Sequence, residues 1–167
     1  MDADADGESR LERARAVALR FLGYSARSSA EVRRRLERGG FDAETINAVV
    51  AEMESAGWLD DGKFARDWIE DRSDRKGYGR TRLAAELQRR GVDREVVERT
   101  ADAIRPDDEF RRALAAARPR FSSEALSGQE PAAAERERRR IAGFLQRRGF
   151  DWDIIKEVIR ELAENNT

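Results

Sequence analysis

The chain contains neither cysteine nor histidine. The first absence removes disulfide frameworks, thiol nucleophiles and zinc–thiolate sites; the second removes the commonest general base and the commonest metal ligand together. Nothing approaches an apolar run of about eighteen residues, and the start, MDADADGESR, is acidic where a signal peptide is basic and then apolar. These absences predict a cytoplasmic protein with no membrane partner and no cofactor. Aromatic residues make up only 7% of the chain, which leaves few platforms on which bases could stack.

Charge is what the chain has in abundance. Of its 167 residues 40% are charged, and the mean hydropathy of -0.81 leaves little apolar material for one thick core. Small helical modules in a row fit that ratio better. The net charge of -1 hides an asymmetry. Five acids and one Arg lie in the first twelve residues and two acids in the last seven, leaving 32 basic against 27 acidic residues between them. A body so mildly basic suits a surface that meets protein and nucleic acid, and falls short of a dedicated DNA-coating protein.

The modules are visible as an internal repeat. Aligning Leu36, Leu87 and Leu145 also aligns Gly40, Gly91 and Gly149, then Phe41, Val92 and Phe150, then Asp42, Asp93 and Asp151. In each copy the glycine can take the left-handed conformation that closes a helix, and the Asp can cap the next one. The apolar residue between them can staple onto Ile46, Val97 or Ile155. Ser28 with Glu31 reads as a capping box for the helix holding Val32 and Leu36. Apolar spacing then predicts third helices burying Ile46, Val49, Val50 and Met53; Val96, Val97 and Ile104; and Ile154, Ile155, Val158, Ile159 and Leu162. The predicted fold is all-α, an elongated, curved array of three tandem three-helix repeats, nine helices in all. Residues 1–8 read as a disordered acidic tail, 9–59 as the first repeat, 60–105 as the second and 106–167 as the third. The third carries a mobile loop insertion at about 118–134, because its second helix lies 58 residues after its predecessor where the earlier spacing is 51.

The stretch Trp58 to Asp93 resembles the central signature of the RecX family, the small all-helical regulators of the RecA recombinase. The matching residues are Leu59, Asp60 and Asp61, Phe64-Ala65, Arg72, Gly77-Tyr78-Gly79, Arg82-Leu83, Glu86-Leu87 and Arg90-Gly91-Val92. Flanking matches are Ser28, Glu31, Val32 and Leu36 before it, and Arg147-Arg148-Gly149-Phe150 with Ile154-Ile155 after it. The resemblance implies a protein that binds in the groove of the RecA–single-stranded DNA filament, modulating ATP hydrolysis, filament growth and strand exchange in homologous recombination, DNA repair and the SOS response. It implies a monomer whose partner is the RecA filament, with contact to single-stranded or duplex DNA. The residues by themselves leave a second reading open, a helical protein that binds single-stranded DNA directly.

The contact set expected by matching position is Arg72, Arg75, Lys76, Tyr78, Arg80, Arg82, Arg89 and Arg90, extended by Arg147 and Arg148. Arg pairs two-pronged with carboxylate or phosphate, so these residues suit either an acidic protein groove or a nucleic-acid backbone. The bland reading stands beside it: Arg38, Arg89 and Arg147 share one repeat position in a last helical turn, where Arg complements the macrodipole. The clusters Arg33-Arg34-Arg35 and Arg136 to Arg140 exceed what capping needs. Tyr78, between two glycines, reads as a packed turn residue or a stacking platform; Phe64, Trp68 and Phe110 read as core, and Trp58 and Trp152 as contacts between helices.

Catalysis finds little support. Gly77-x-Gly79 lacks the third glycine and the strand of a dinucleotide site, and the acid pairs Glu52 with Glu54 and Asp60 with Asp61 lie at caps or on polar faces. A helix-turn-helix DNA reader is also disfavoured. Its last helix enters the major groove, whereas the third helices here carry Glu44, Glu52 and Glu54, Glu95, Glu98 and Asp102, and Asp153, Glu157 and Glu161. Phosphate would repel them. The residues therefore lead one to expect a chain that is not an enzyme, and the resemblance implies that it is a regulator.

Overall fold

In the computed structural model of the chain, residues 2–121, 123–128 and 130–164 are described, the side chains of 2–6 and 127 excepted. Among them ten helices follow one another: α1 (Asp2–Tyr24), α2 (Ser29–Arg38), α3 (Ala43–Ser55), α4 (Asp61–Lys76), α5 (Arg80–Arg89), α6 (Arg94–Asp102), α7 (Pro106–Ala117), α8 (Ser123–Ser127), α9 (Pro131–Arg147) and α10 (Trp152–Glu164). The fold is all-α, in three successive three-helix domains with α8 added to the last. α1 starts at Asp2, so helical backbone covers most of the stretch read as a tail.

The local chemistry that starts the helices is as the repeat predicts in the first two copies, and the glycine that closes the second helix is as predicted in all three. The Ser28 hydroxyl accepts the Glu31 N–H, and the Glu31 carboxylate accepts the Ser28 N–H. Asp42 caps α3 through the Thr45 N–H and Asp93 caps α6 through Glu95 N–H. Gly40, Gly91 and Gly149 have φ of 79°, 84° and 84°, the left-handed region where a Cβ is strained. At the start of α4, Asp60 caps the helix by accepting the Lys63 N–H, while Asp61, its first residue, reaches back to accept the Ser29 N–H at 2.7 Å.

The chain forms two compact units, residues 1–66 with 87–97, and residues 67–86 with 98–167. In the first, α1, α2 and α3 enclose Ala14, Ala18, Val32, Leu36, Ile46, Val49, Val50, Met53 and Leu59. In the second, α7 to α10 enclose a core that includes Ala113, Leu114, Ile141, Leu145, Phe150, Ile155 and Val158.

Two expectations are corrected. The 118–134 stretch, read as a mobile loop, supplies Leu126 from α8 to the core of the second unit and sets Phe121 edge-on to Phe144, with centroids 5.4 Å apart. Its backbone turns helical again at Pro131, which fits a first helical position because the N–H it lacks would have no partner there. Ser122 and Gln129 of that stretch, and the side chain of Ser127, lie outside what is described. Trp58 and Trp152, expected between helices, are 62% and 53% exposed. Gly57, at φ 75°, turns the chain outward after α3, and Leu59 fills the core in place of the indole.

Stability should respond to acid and not to neutral pH. The Thr45 N–H, then Arg10, hold the Asp42 carboxyl at about 2, and Arg105, then Arg111, do the same for Asp108. A depressed folded-state pKa contributes stability that is present in full above the unfolded value near about 4, and is lost as pH falls through the folded value. With no histidine, no side chain of ordinary pKa titrates between about 5 and 8. Thermal melts should therefore be flat across neutral pH and drop between pH 4 and 2; a midpoint that moves near pH 6 would contradict this.

Candidate partner-binding surface

The second unit holds most of the expected contact set around the turn between α4 and α5. Gly77, at φ 59°, ends α4, and the chain passes through Tyr78 to Gly79, which packs against the α9–α10 junction. Gly79 N–H donates to the Arg148 carbonyl at 2.8 Å and Thr81 N–H to the Gly149 carbonyl at 3.1 Å. The Thr81 hydroxyl donates to Asp151 Oδ1 at 2.6 Å. The turn is thus bolted to the junction of the next repeat by main chain.

Several of the cations that sequence offered to a partner do internal duty here. The Arg82 guanidinium lies 3.8 Å over the Tyr78 ring, donates to the Arg147 carbonyl at 3.1 Å and reaches Glu86 at 3.3 Å. Arg72 stacks 3.7 Å over Trp68 and pairs with Glu86 at 3.5 Å. Arg80 pairs with the buried Glu109 at 3.5 Å and donates to the Ile104 carbonyl at 3.1 Å. Arg148 donates to the Lys76 carbonyl at 2.5 Å and lies over Phe144. Each guanidinium closes a gap between segments distant in sequence, where its five donors can serve several carbonyls and carboxylates at once.

The first unit repeats the arrangement one copy earlier. The Ser28 hydroxyl and Arg34 both donate to the Arg90 carbonyl, at 2.7 and 3.0 Å. The Arg90 side chain donates to both Glu31 oxygens, at 2.8 and 3.0 Å, so Glu31 serves the capping box and this docking together. Ser28 and Gly79 occupy equivalent repeat positions, as do Arg90 and Arg148. One rule therefore serves twice: the start of a second helix receives the carbonyl that closes the second helix of the following copy.

What remains on the surface is a smaller set. Arg75, Lys76, Arg89 and Arg147 are exposed, Arg75 facing Asp71 of its own helix at 2.8 Å. Tyr78 is half-buried beneath Arg82, with the Lys76 ammonium 6.0 Å from its ring, so the packed-turn reading describes it. Arg89 and Arg90 belong to the first unit and the other eight to the second. The Arg136 to Arg140 cluster is largely neutralised locally: Arg136 meets Glu130, Arg138 and Arg139 meet Glu135, and Arg140 meets the buried Glu137. Sequence reading passed over Arg112 and Arg120, which line an open basic cleft beside the α4–α5 turn. Their signal was weak, since they match no repeat position of the other basic residues and Arg120 falls in the stretch taken for an insertion.

The division is testable by stability. Arg90→Ala should cost about 1–3 kcal/mol, because it strands the half-buried Glu31 carboxylate, while Arg147→Ala should leave the urea midpoint unchanged. Equal midpoints for the two variants would overturn the structural role given to Arg90.

The acids weighed for catalysis are accounted for. Glu52 holds Arg15 at 2.8 Å, Glu54 accepts from the Ser29 hydroxyl, and Asp60 and Asp61 bind backbone N–H groups. Among the described residues no group of three or more acids is placed to hold a metal ion, and no helix is long and apolar enough to cross a membrane.

Comparison with known proteins places this arrangement. Family models for the first, second and third three-helix domains of RecX match residues 14–53, 60–100 and 107–159. A regulatory protein RecX of Amycolatopsis mediterranei is 33% identical over 99% of this chain and 94% of its own length. One from a Mycobacterium species, strain KMS, is 37% identical over 96% of this chain and 88% of its own. Among solved structures, RecX from Lactobacillus salivarius superposes with a TM-score of 0.83 at 18% identity, covering 93% of this chain and 97% of the other. A second RecX crystal structure gives 0.79 at 14% identity, with 93% of this chain and 76% of the other covered. With all three family domains matched in order, the chain belongs to the RecX family of regulatory proteins.

Proposed function

We propose that this chain is a non-enzymatic regulator that binds the RecA–single-stranded DNA filament along its helical groove and lowers its ATPase, filament growth and strand exchange. The observation that carries the reading is membership of the RecX family across all three domains. The surface is compatible with it: Arg75, Lys76 and Arg147 are exposed in the second unit, and Arg89 in the first. Several modest contacts spread along a repeating groove build affinity by effective concentration without any single deep pocket.

The test is the DNA-dependent ATPase of the cognate recombinase, titrated with this protein, alongside binding to the same single strand alone. Inhibition at concentrations that leave naked DNA unbound is expected. A triple variant, Arg75→Glu with Lys76→Glu and Arg147→Glu, should weaken inhibition by about tenfold or more, since each reversal turns a steering attraction into repulsion. An unaltered ATPase with tight, salt-dependent binding to the bare strand would favour the direct DNA binder instead.

A further inference from the structure

A cleft of about 490 Å³ opens in the second unit between the end of α4, the α7 helix and the end of α9. Its wall carries Ser73, Lys76, Arg112, Arg120 and Arg148, with Asp74 the one acid, while Ala115, Ala116 and Pro119 give it an apolar side. Arg120 and Arg148 both lie against the Phe144 ring, at 5.2 and 4.7 Å, which fixes two of the guanidinium groups before any ligand arrives. Arg148 is further held by the Lys76 carbonyl.

Two groups in this wall are without protein partners. Ser73 is 4% exposed, and its hydroxyl has no hydrogen-bond partner; Arg112 Nε and Nη2 are buried and have none either. Buried donors left unsatisfied cost free energy, and a protein that holds them beside a cleft has them ready for an acceptor from outside. The acceptor must be anionic. Four cations against one carboxylate leave a surplus of three positive charges, more than a single carboxylate or a single phosphodiester balances.

We infer that this cleft is an oligophosphate-binding site, in which Arg112, Arg120, Arg148 and Lys76 neutralise two adjacent phosphate groups and the Ser73 hydroxyl donates to one of their oxygens. Guanidinium groups suit this chemistry because their forked donors match phosphate oxygens. The adjacent phosphates come either from the polyphosphate chain of a free nucleotide or from neighbouring positions of a nucleic-acid strand. The site shares Lys76 with the surface assigned to the filament, but it is tested on this chain without a recombinase, so its failure is distinguishable from the failure of that reading.

The experiment is calorimetric titration of the full chain with pyrophosphate at low salt, using wild type, Arg112→Gln, Ser73→Ala and Arg139→Gln. Arg139 lines a different cleft, so its variant removes the same charge elsewhere. Wild type should bind saturably with one site, and Arg112→Gln should weaken binding by about tenfold or more, the loss of charge-assisted hydrogen bonds. Ser73→Ala should weaken it several-fold, and Arg139→Gln should leave it unchanged. Pyrophosphate should also raise the melting temperature over chloride at equal ionic strength, because it binds only the folded chain. Should Arg112→Gln fail to fold by circular dichroism, Ser73→Ala and Arg120→Gln carry the test. No saturable binding, or equal weakening in all variants including Arg139→Gln, overturns the site. A short single strand that competes with pyrophosphate in wild type identifies the strand as the source; a strand that does not compete identifies the free oligophosphate.

Discussion

Replacing Gly149 by Ala should cost about 4 kcal/mol or more, while the same change at Gly40, its equivalent in the first copy, should cost about 1 kcal/mol, the ordinary penalty of a left-handed residue that carries a Cβ. All three junction glycines have nearly the same φ, so the difference lies in what a Cβ meets. At Gly40 it meets open space. At Gly91 it falls 2.5 Å from the Ala30 Cβ, and α2 must shift to admit it. At Gly149 it falls 2.3 Å from the Arg82 Cβ and 2.4 Å from the Arg82 backbone nitrogen, where no flexible side chain can give way. Opening that contact also strains the Gly79 N–H to Arg148 and Thr81 N–H to Gly149 hydrogen bonds, each worth about 1 kcal/mol. Gly79→Ala meets the same wall from the other side, with a Cβ 2.4 Å from the Gly149 carbonyl oxygen. Urea denaturation of the Gly40, Gly91 and Gly149 variants should rank them in that order of increasing damage. Three equal losses would show that conformational strain alone governs these positions and that the close approaches do not matter.

Glu109→Ala should destabilise the chain by about 3 kcal/mol, the scale for stranding one side of a buried ionic contact. The Glu109 side chain is 1% exposed. Its Oε1 accepts the Arg80 backbone N–H at 2.7 Å, and its Oε2 stands 3.5 Å from Arg80 Nε. That N–H belongs to the first residue of α5, one of the donors a helix start cannot satisfy within itself. Truncation to Ala therefore leaves the backbone donor without its acceptor and the Arg80 guanidinium without its buried carboxylate, with the Ile104 carbonyl still in place. Glu109→Gln keeps a carbonyl on the N–H and loses the charge, and should cost about 1 kcal/mol. A gap between Ala and Gln of less than a few tenths of a kcal/mol would remove the backbone bond from the account. The result bears on function as well. If Arg80→Ala abolished regulatory activity, the cause would be this internal pair, and the loss would say nothing of a partner contact unless the variant's melting temperature matched wild type.

Helix starts and stops were legible because they depend on neighbours in the chain: Ser28 with Glu31, Asp42 with Thr45, and a glycine where φ turns positive. The buried faces were legible for the same reason, since a period near 3.6 residues puts Ile46, Val49, Val50 and Met53 on one side of α3 whatever the rest of the chain does. The stretch at 118–134 was not legible, because nothing local in Phe121 or Leu126 says that α9 and α10 stand ready to cover them. Loop-like composition won where a long-range contact should have.

The expected contact set shows the same limit. Arginines in last turns and glycine turns look alike in sequence whether they face a partner or a carbonyl of the next repeat, since both offer the same forked donors to an acceptor. Arg72, Arg80, Arg90 and Arg148 are held by acceptors that lie between 14 and 72 residues away in sequence, and Arg82 by one 65 residues away as well as by the nearby Glu86. Only folding brings those acceptors within reach. Sequence alone determined the all-α class, the threefold repeat and the family, because caps, turn glycines and apolar periods act over a few residues and recur in register. The tertiary structure alone decided which cations hold the repeats together, which remain exposed, and why equivalent glycines are not equally replaceable, because each depends on how closely one segment's backbone approaches another's.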